Sequence, residues 1–325
     1  MLKQIIYRSM QAVVILLIVT MITFALLAAA GGDALSALRA DPQVSPAAVE
    51  NMRHTYGLDQ PLAVRYAHWL GGAAQGNLGD SFYFHAPVSG LIWPRLLNTL
   101  TLAVLAMLIA VVVALLLGVA AARREGSLVY KFSELVILIS SATPRIVLAL
   151  ILLALAAGTT LLSASETGPA GVTKPLRYAW LPAVVLATPL IALFLAQLRD
   201  GLAASLREEF VQVARAKGLP ERVILFRHAL RAALNPLITI FGYSLGSVFG
   251  GSVIAETVMG WPGLGSLIVT AVRARDVPLV MGVVLITSTA VMLGNLLADI
   301  LQQLNDPRLR EIGARGGVTI SGPAS

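Results

Sequence analysis

The chain of 325 residues is 57% hydrophobic and only 13% charged, with a mean hydropathy of +0.80, and no ordinary water-soluble surface can be assembled from such a composition. Its net charge of +7 invites a nucleic-acid reading, but aromatic residues make up only 6% and the basic residues stand in short clusters between apolar runs, as juxtamembrane charges do. Cysteine is absent, which excludes disulfides, thiol catalysis and thiolate metal sites.

Runs of about 20 apolar residues, the length a helix needs to cross the hydrocarbon layer, occur six times. They cover Met10 to Ala30, Asn98 to Ala121, Phe132 to Ala157, Tyr178 to Leu198, Leu237 to Ile254 and Leu279 to Leu304. Each is expected to be helical, because lipid offers the backbone no hydrogen-bond partners. The fold class is therefore all-α, a polytopic membrane protein with six transmembrane helices. The first run follows Lys3 and Arg8 and ends in LLAAAGG, which has the look of a cleavable signal; its apolar stretch is long for that role, and a retained first helix is the preferred reading.

Orientation follows from the lysines and arginines between the runs. With the N-terminus inside, the inner segments hold fifteen and the outer segments eight, four of the latter in one long loop. Both termini are then cytoplasmic: residues 1–9 inside, 10–304 the membrane domain, 31–97 extracytoplasmic, 199–236 a cytoplasmic loop, and 305–325 a cytoplasmic tail expected to be disordered at its end. Within the outer segment, SPAAVENMRHTYGL predicts a short helix with Ser45 as N-cap and Pro46 at its first position, and PLAVRYAHWL from Pro61 predicts a second. The stretch GNLGDSFYFHAPV reads as a loop or a short hairpin.

The loop 199–236 is the polar exception in an oily chain. REEFVQVARAK is helix-forming, with Glu208 and Glu209 near its start and Arg215 and Lys217 near its end, as the helix dipole prefers. Gly218 supplies a left-handed terminator, and Pro220 presets a second helix, PERVILFRHALRAAL, which is apolar on one side and carries Arg222, Arg227 and Arg231 on the other. Two short helices joined at a glycine would make a protruding knob. On physical grounds alone, it could rest on anionic lipid or dock a soluble partner.

The knob resembles the signature loop of inner-membrane permeases of ATP-binding-cassette importers, written Glu-Ala-Ala, three residues, then Gly. Ala214 and Gly218 match, while Gln212 and Val213 stand at the first two positions. ARAKGL followed by RHALRAALNP is similar to the dipeptide, oligopeptide and nickel branch of that family, and YGLDQPLAVRYAHWL, GNLGDSF, LPAVVLATPL, AETVMGWPGLG and LNDPRLR follow in the family's order. The resemblance implies that Ala214, Arg215, Ala216, Lys217, Gly218, His228, Arg231 and Pro236 belong to an ATPase-coupling loop. It further implies as partners a second homologous permease, two cytoplasmic ATPases that bind the ATP and Mg, an extracytoplasmic solute-binding protein and membrane lipid, with no nucleic acid. No cofactor is expected in this chain. A phosphate-binding loop requires a lysine after glycine, and Lys3, Lys131, Lys174 and Lys217 are the only lysines, none so placed.

The histidines His54, His68, His85 and His228 lie outside the six runs and form no H-E-x-x-H, so no intramembrane metal site or protease is expected. Gly242, Gly246 and Gly250 make a smooth ridge on the fifth run, suited to packing within the chain, to packing on a second permease, or to lining a pathway. Arg145 stands inside the third run, where a cation is costly unless it faces water or a counter-charge; a pathway-facing position is preferred over snorkelling or a misread span. Asp299, near the inner end of the last run, is expected at the interface rather than in a proton relay. The alternative function is a secondary transporter driven by an ion gradient, although the runs offer no convincing carboxylate cluster for one.

Overall fold

The computed structural model describes residues 2–30, 59–157 and 178–305, with scattered residues between 45 and 57. The helix expected at Ser45 and Pro46 and the tail 305–325 fall largely or wholly outside the described residues. Helix α1 spans Leu2–Ala29 and α2 spans Leu62–Ala74. A two-stranded antiparallel hairpin, β1 (Asp80–Ser81) and β2 (Ala86–Pro87), follows, so both expectations for 61–87 hold. Next come α3 (Val88–Ala122), α4 (Leu128–Ala142), α5 (Arg145–Ala156), α6 (Trp180–Ser205), α7 (Glu209–Ala216), α8 (Glu221–Val258), α9 (Leu264–Arg273) and α10 (Val277–Asn305).

Five of these helices are long and apolar enough to cross a membrane: α1, α3, α6, α8 and α10. Helix α3 starts ten residues before the apolar run does, because Trp93, Pro94 and Arg95 interrupt the hydropathy without interrupting the helix. Its 35 residues reach about 52 Å, well beyond a hydrocarbon layer of about 30 Å. The third run is not one helix. It breaks at Thr143 and Pro144 into α4 and α5, which meet at 100°. Proline has no N–H to continue the ladder and pushes the residue before it into extended backbone, and Thr143 has ψ of 115°. Arg145, expected inside a span, is instead the first residue of α5.

Helices α3 and α6 form the centre. In lipid no hydrophobic force draws helices together, so close packing needs small residues at the seam. Buried Ala103, Ala106, Ala110, Ala114 and Gly118 provide that seam on α3, and Leu186, Leu190, Phe194, Leu195 and Leu198 of α6 fill it. A Cβ on Gly118 would stand 3.4 Å from the Leu198 side chain, so the helices are already in van der Waals contact there. Helix α8 covers α6 on one side, and α10 packs on α8 through Gly242, where a Cβ would collide with Ala298. Helix α1 is peripheral. It touches α10 and α2, with Thr20 Oγ1 and Tyr66 Oη 3.0 Å apart and the Phe24 and Tyr66 rings 5.6 Å apart.

The spans alternate in direction, so one end of the bundle carries the α3–α4 turn, α7 and the start of α8. The opposite end carries α2, the hairpin and α9. Arg8 and Asp299 meet at 3.3 Å at the α7 end, both partly exposed, which joins α1 to α10.

Candidate functional site: a knob at one end and an uncovered polar stripe

Helix α7 is short, strongly amphipathic and pinned at its C-terminus. Val211 and Ala214 are buried against Ile224 of α8 and fix the helix to the first turns of the long span. Lys217 ends the helix, Gly218 takes φ of +74°, and two backbone bonds close the turn: Gly218 N–H donates to the Arg215 carbonyl at 2.9 Å and Leu219 N–H to the Ala214 carbonyl at 3.2 Å. This is the two-bond Schellman arrangement, with glycine at the left-handed position. Nothing lies within 4 Å of a Cβ placed on Gly218, so substitution there strains the backbone without making a clash. Arg215 crosses the turn to Glu221, its Nε 2.7 Å from Oε1 and its Nη2 3.3 Å from Oε2, and this hydrogen bonding holds its guanidinium above the ordinary arginine range.

The expected second knob helix is not separate. Pro220 starts α8, which runs from Glu221 through a π-helical turn at Ile224–Ala229 and across Pro236 to Val258. The second half of the knob and the span are one rod, and α7 is packed on its first turns. Phe210, Val213, Leu219 and Phe226 are 38% to 54% exposed on this otherwise polar element, an apolar patch that lies outside the apolar run. His228 and Arg231 join Arg227, Asn235 and Phe210 around an open cavity of about 270 Å³. Ala216, Lys217 and Pro236 are exposed around this element.

Farther along α8 the residues Pro236, Thr239, Tyr243, Ser247 and Gly250 recur at three and four and are all exposed, with Tyr243 at 80%. They form one uncovered face of small and polar side chains. The expected glycine ridge is therefore divided. Gly242 packs on Ala298, Gly246 lies 3.5 Å from Val291 by its would-be Cβ, and Gly250 has open space beside it. The neighbouring Gly251, not singled out from sequence, receives the Arg145 guanidinium: a Cβ there would overlap it. Arg145 Nη1 donates to the Ser247 carbonyl at 3.4 Å.

At the opposite end, two carboxylates that the sequence did not flag are fully buried. Glu256 Oε1 accepts from Thr99 Oγ1 at 2.7 Å, and Oε2 accepts from the N–H groups of Gly265 at 2.7 Å and Ser266 at 3.1 Å. It thereby satisfies the free N–H groups that open α9. Gly263 and Gly265 leave the room, since a Cβ on either would press on the Glu256 carboxylate. Asn98 Nδ2 donates to the Pro262 carbonyl at 2.8 Å and Trp261 Nε1 to the Asn98 carbonyl at 3.3 Å, which completes the join between α3 and the α8–α9 turn. Asp276 does the same for the hairpin: it accepts from Ser81 Oγ at 2.5 Å, from Tyr83 N–H at 3.0 Å and from Leu279 N–H of α10 at 3.2 Å. Both carboxylates are saturated by structural donors and stand apart from the exposed stripe. Among the described residues no group of three His, Asp or Glu could hold a metal ion.

The site thus consists of an amphipathic knob packed on a membrane-length helix and, farther along that helix, an exposed polar face. Residues 114–311 match the family described as binding-protein-dependent transport system inner membrane component, and residues 1–103 match the family's N-terminal component. The oligopeptide transport system permease AppB of Bacillus subtilis is 37% identical over 313 residues, covering 94% of this chain and 98% of that protein. The di/tripeptide transport system permease DppB of Pseudomonas aeruginosa is 35% identical over 319 residues, covering 90% and 94%. The chain belongs to the binding-protein-dependent inner-membrane permease family: it is a multi-pass inner-membrane subunit of an ATP-binding-cassette importer and not itself the ATPase. The ion-gradient alternative is left without support.

Proposed function

We propose that this chain forms half of the translocation pathway of an ATP-driven peptide importer, with both termini and the α7 knob in the cytoplasm. A second homologous permease supplies the other half, two cytoplasmic ATPases bind ATP and Mg, and an extracytoplasmic binding protein delivers the solute. Ala214, Arg215, Ala216, Lys217 and Gly218 shape the docking knob, with His228 and Arg231 beside it and Pro236 where the rod enters the membrane. Arg145 and Gly250 border the solute path, while Gly242 and Gly246 serve packing on α10. The peptide class comes from the relatives' names, and selection among peptides rests with the binding protein.

The observation that carries this reading is the outward apolar pair Phe210 and Val213 on a helix anchored to α8. An exposed apolar patch on a pinned helix is a surface for a protein partner. Because Val211 and Ala214 of the knob pack on Ile224 of α8, and α8 continues to Val258, a tilt of the knob on ATPase closure would move the exposed face of α8. The physical requirement is that ATP favour one of the two states over the other. Val213→Asp should leave the permease in the membrane and strip the ATPase from the purified complex. Undiminished recovery of the ATPase with that variant would refute the assignment of the knob.

A further inference from the structure

Arg145 combines three features that a packing residue does not need together. It begins α5 at the 100° break, so its charge sits at the positive end of a helix dipole, where a cation gains nothing from the backbone. Its guanidinium lies over Gly251, in a notch that exists only because that residue lacks a Cβ. It has five donors and spends one on a long 3.4 Å contact with the Ser247 carbonyl, and among the described residues no carboxylate is in ion-pair reach. The depth is also informative. Glu134 is the last charged residue of α4, and the stretch from it to Thr143 rises about 13 Å, which sets the break about midway through a hydrocarbon layer about 30 Å thick. An unneutralised cation persists there when water or a transient counter-anion reaches it. The surface it borders is the uncovered stripe of Thr239, Tyr243, Ser247 and Gly250.

We infer that Arg145, held in the Gly251 notch at the α4–α5 break, is a carboxylate-binding station on the solute path. The planar guanidinium matches a carboxylate by paired parallel hydrogen bonds, and its unspent donors remain free to make them. A peptide's C-terminal carboxylate is the ligand class. The station offers it one strong partner, an arrangement that receives the group and lets it leave. The inference rests on the proposed path along α8, and its test separates the two.

The absence of native cysteines permits a test that needs no knowledge of the natural solute. In the assembled complex, Ser247→Cys is reacted with an anionic sulfonate-bearing thiosulfonate reagent and with a cationic trimethylammonium analogue, and the ratio of the two rates is taken. Replacing Arg145 by Gln in that background should lower the anionic-to-cationic ratio by about tenfold, because a unit charge at contact distance in a site of reduced dielectric strongly biases an approaching ion. The ratio at Thr239→Cys, two turns away, should change by less than about twofold, since water and salt screen the charge over that distance. Acetate should slow anionic labelling of Ser247→Cys when Arg145 is present and not when it is Gln. If Arg145→Gln fails to assemble, Gly251→Ala gives the reading instead. It keeps the arginine, displaces the flexible guanidinium from the notch, and should lower the same ratio. An unchanged ratio, or no effect of acetate, overturns the station while labelling at Thr239→Cys leaves the path intact. No labelling at either position overturns the path itself.

Discussion

Helices α1 and α8 each leave a full face uncovered, and the two faces differ in chemistry. On α1 the exposed residues from Met10 to Leu26, among them Val13, Leu17, Ile18, Met21 and Leu26, are all apolar, with no polar interruption. On α8 they are Thr239, Tyr243, Ser247 and Gly250, with Arg145 alongside. Hydrocarbon suits the first face and penalises the second. One exposed surface is thus a boundary with lipid and the other a boundary with water, solute or a partner helix. Exposure alone does not distinguish them; composition of the exposed face does.

The sharpest way to break this contrast is chemical access. Cysteine at Tyr243 should react with a water-soluble thiol reagent on the order of a hundredfold faster than cysteine at Leu17 or Ile18, because the reactive thiolate does not form in hydrocarbon. Equal rates would remove the distinction between the faces. A related labelling experiment fixes the direction of the path. Cysteine at Ala73, on α2, should react with an impermeant reagent outside intact cells, and cysteine at Ala204, at the knob end of α6, should be protected until the membrane is opened. Reaction of Ala204→Cys from outside would reverse the proposed orientation.

Stability gives smaller, graded effects. Glu256→Ala removes the acceptor for Thr99, Gly265 and Ser266 and leaves buried donors unpaired, at about 1–3 kcal/mol for each one left unsatisfied. The complex should melt earlier and lose its α9 end first in hydrogen exchange. Glu256→Gln keeps an acceptor oxygen and should be milder. On the lipid face, Leu17→Ala should fall within about 0.5 kcal/mol of the parent, as surface substitutions do. A large loss at Leu17 would mean that α1 has a protein partner where lipid is assigned.

How much of this was legible in the sequence depends on how far the determining groups lie apart. Five spans, the Pro61 helix, the hairpin and the Gly218 turn are written in local hydropathy and turn chemistry, and they hold in the structure. The break at Thr143 and Pro144 was also written locally, in a proline within an apolar run, but the run's hydropathy concealed it. The buried carboxylates were not locally readable: Glu256 caps α9 from only nine and ten residues away, but its burial depends on Thr99, 157 residues away, and Asp276 draws on Ser81, 195 residues away. Gly251 was overlooked for the same reason. It breaks the four-residue spacing of its neighbours, and its role appears only when Arg145 arrives from another helix.

The central claim is that the knob and the exposed face of α8 are one mechanical element, joined to the ATPase through the Gly218 turn. Gly218→Val tests it most directly, since a branched side chain at φ of +74° strains the turn by about 1–2 kcal/mol while its Cβ stands in open space. In reconstituted complexes carrying the binding protein, the variant should assemble at parental levels and retain basal ATP hydrolysis, yet lose the stimulation of hydrolysis by solute together with uptake. Full solute stimulation and uptake in Gly218→Val complexes would contradict the account.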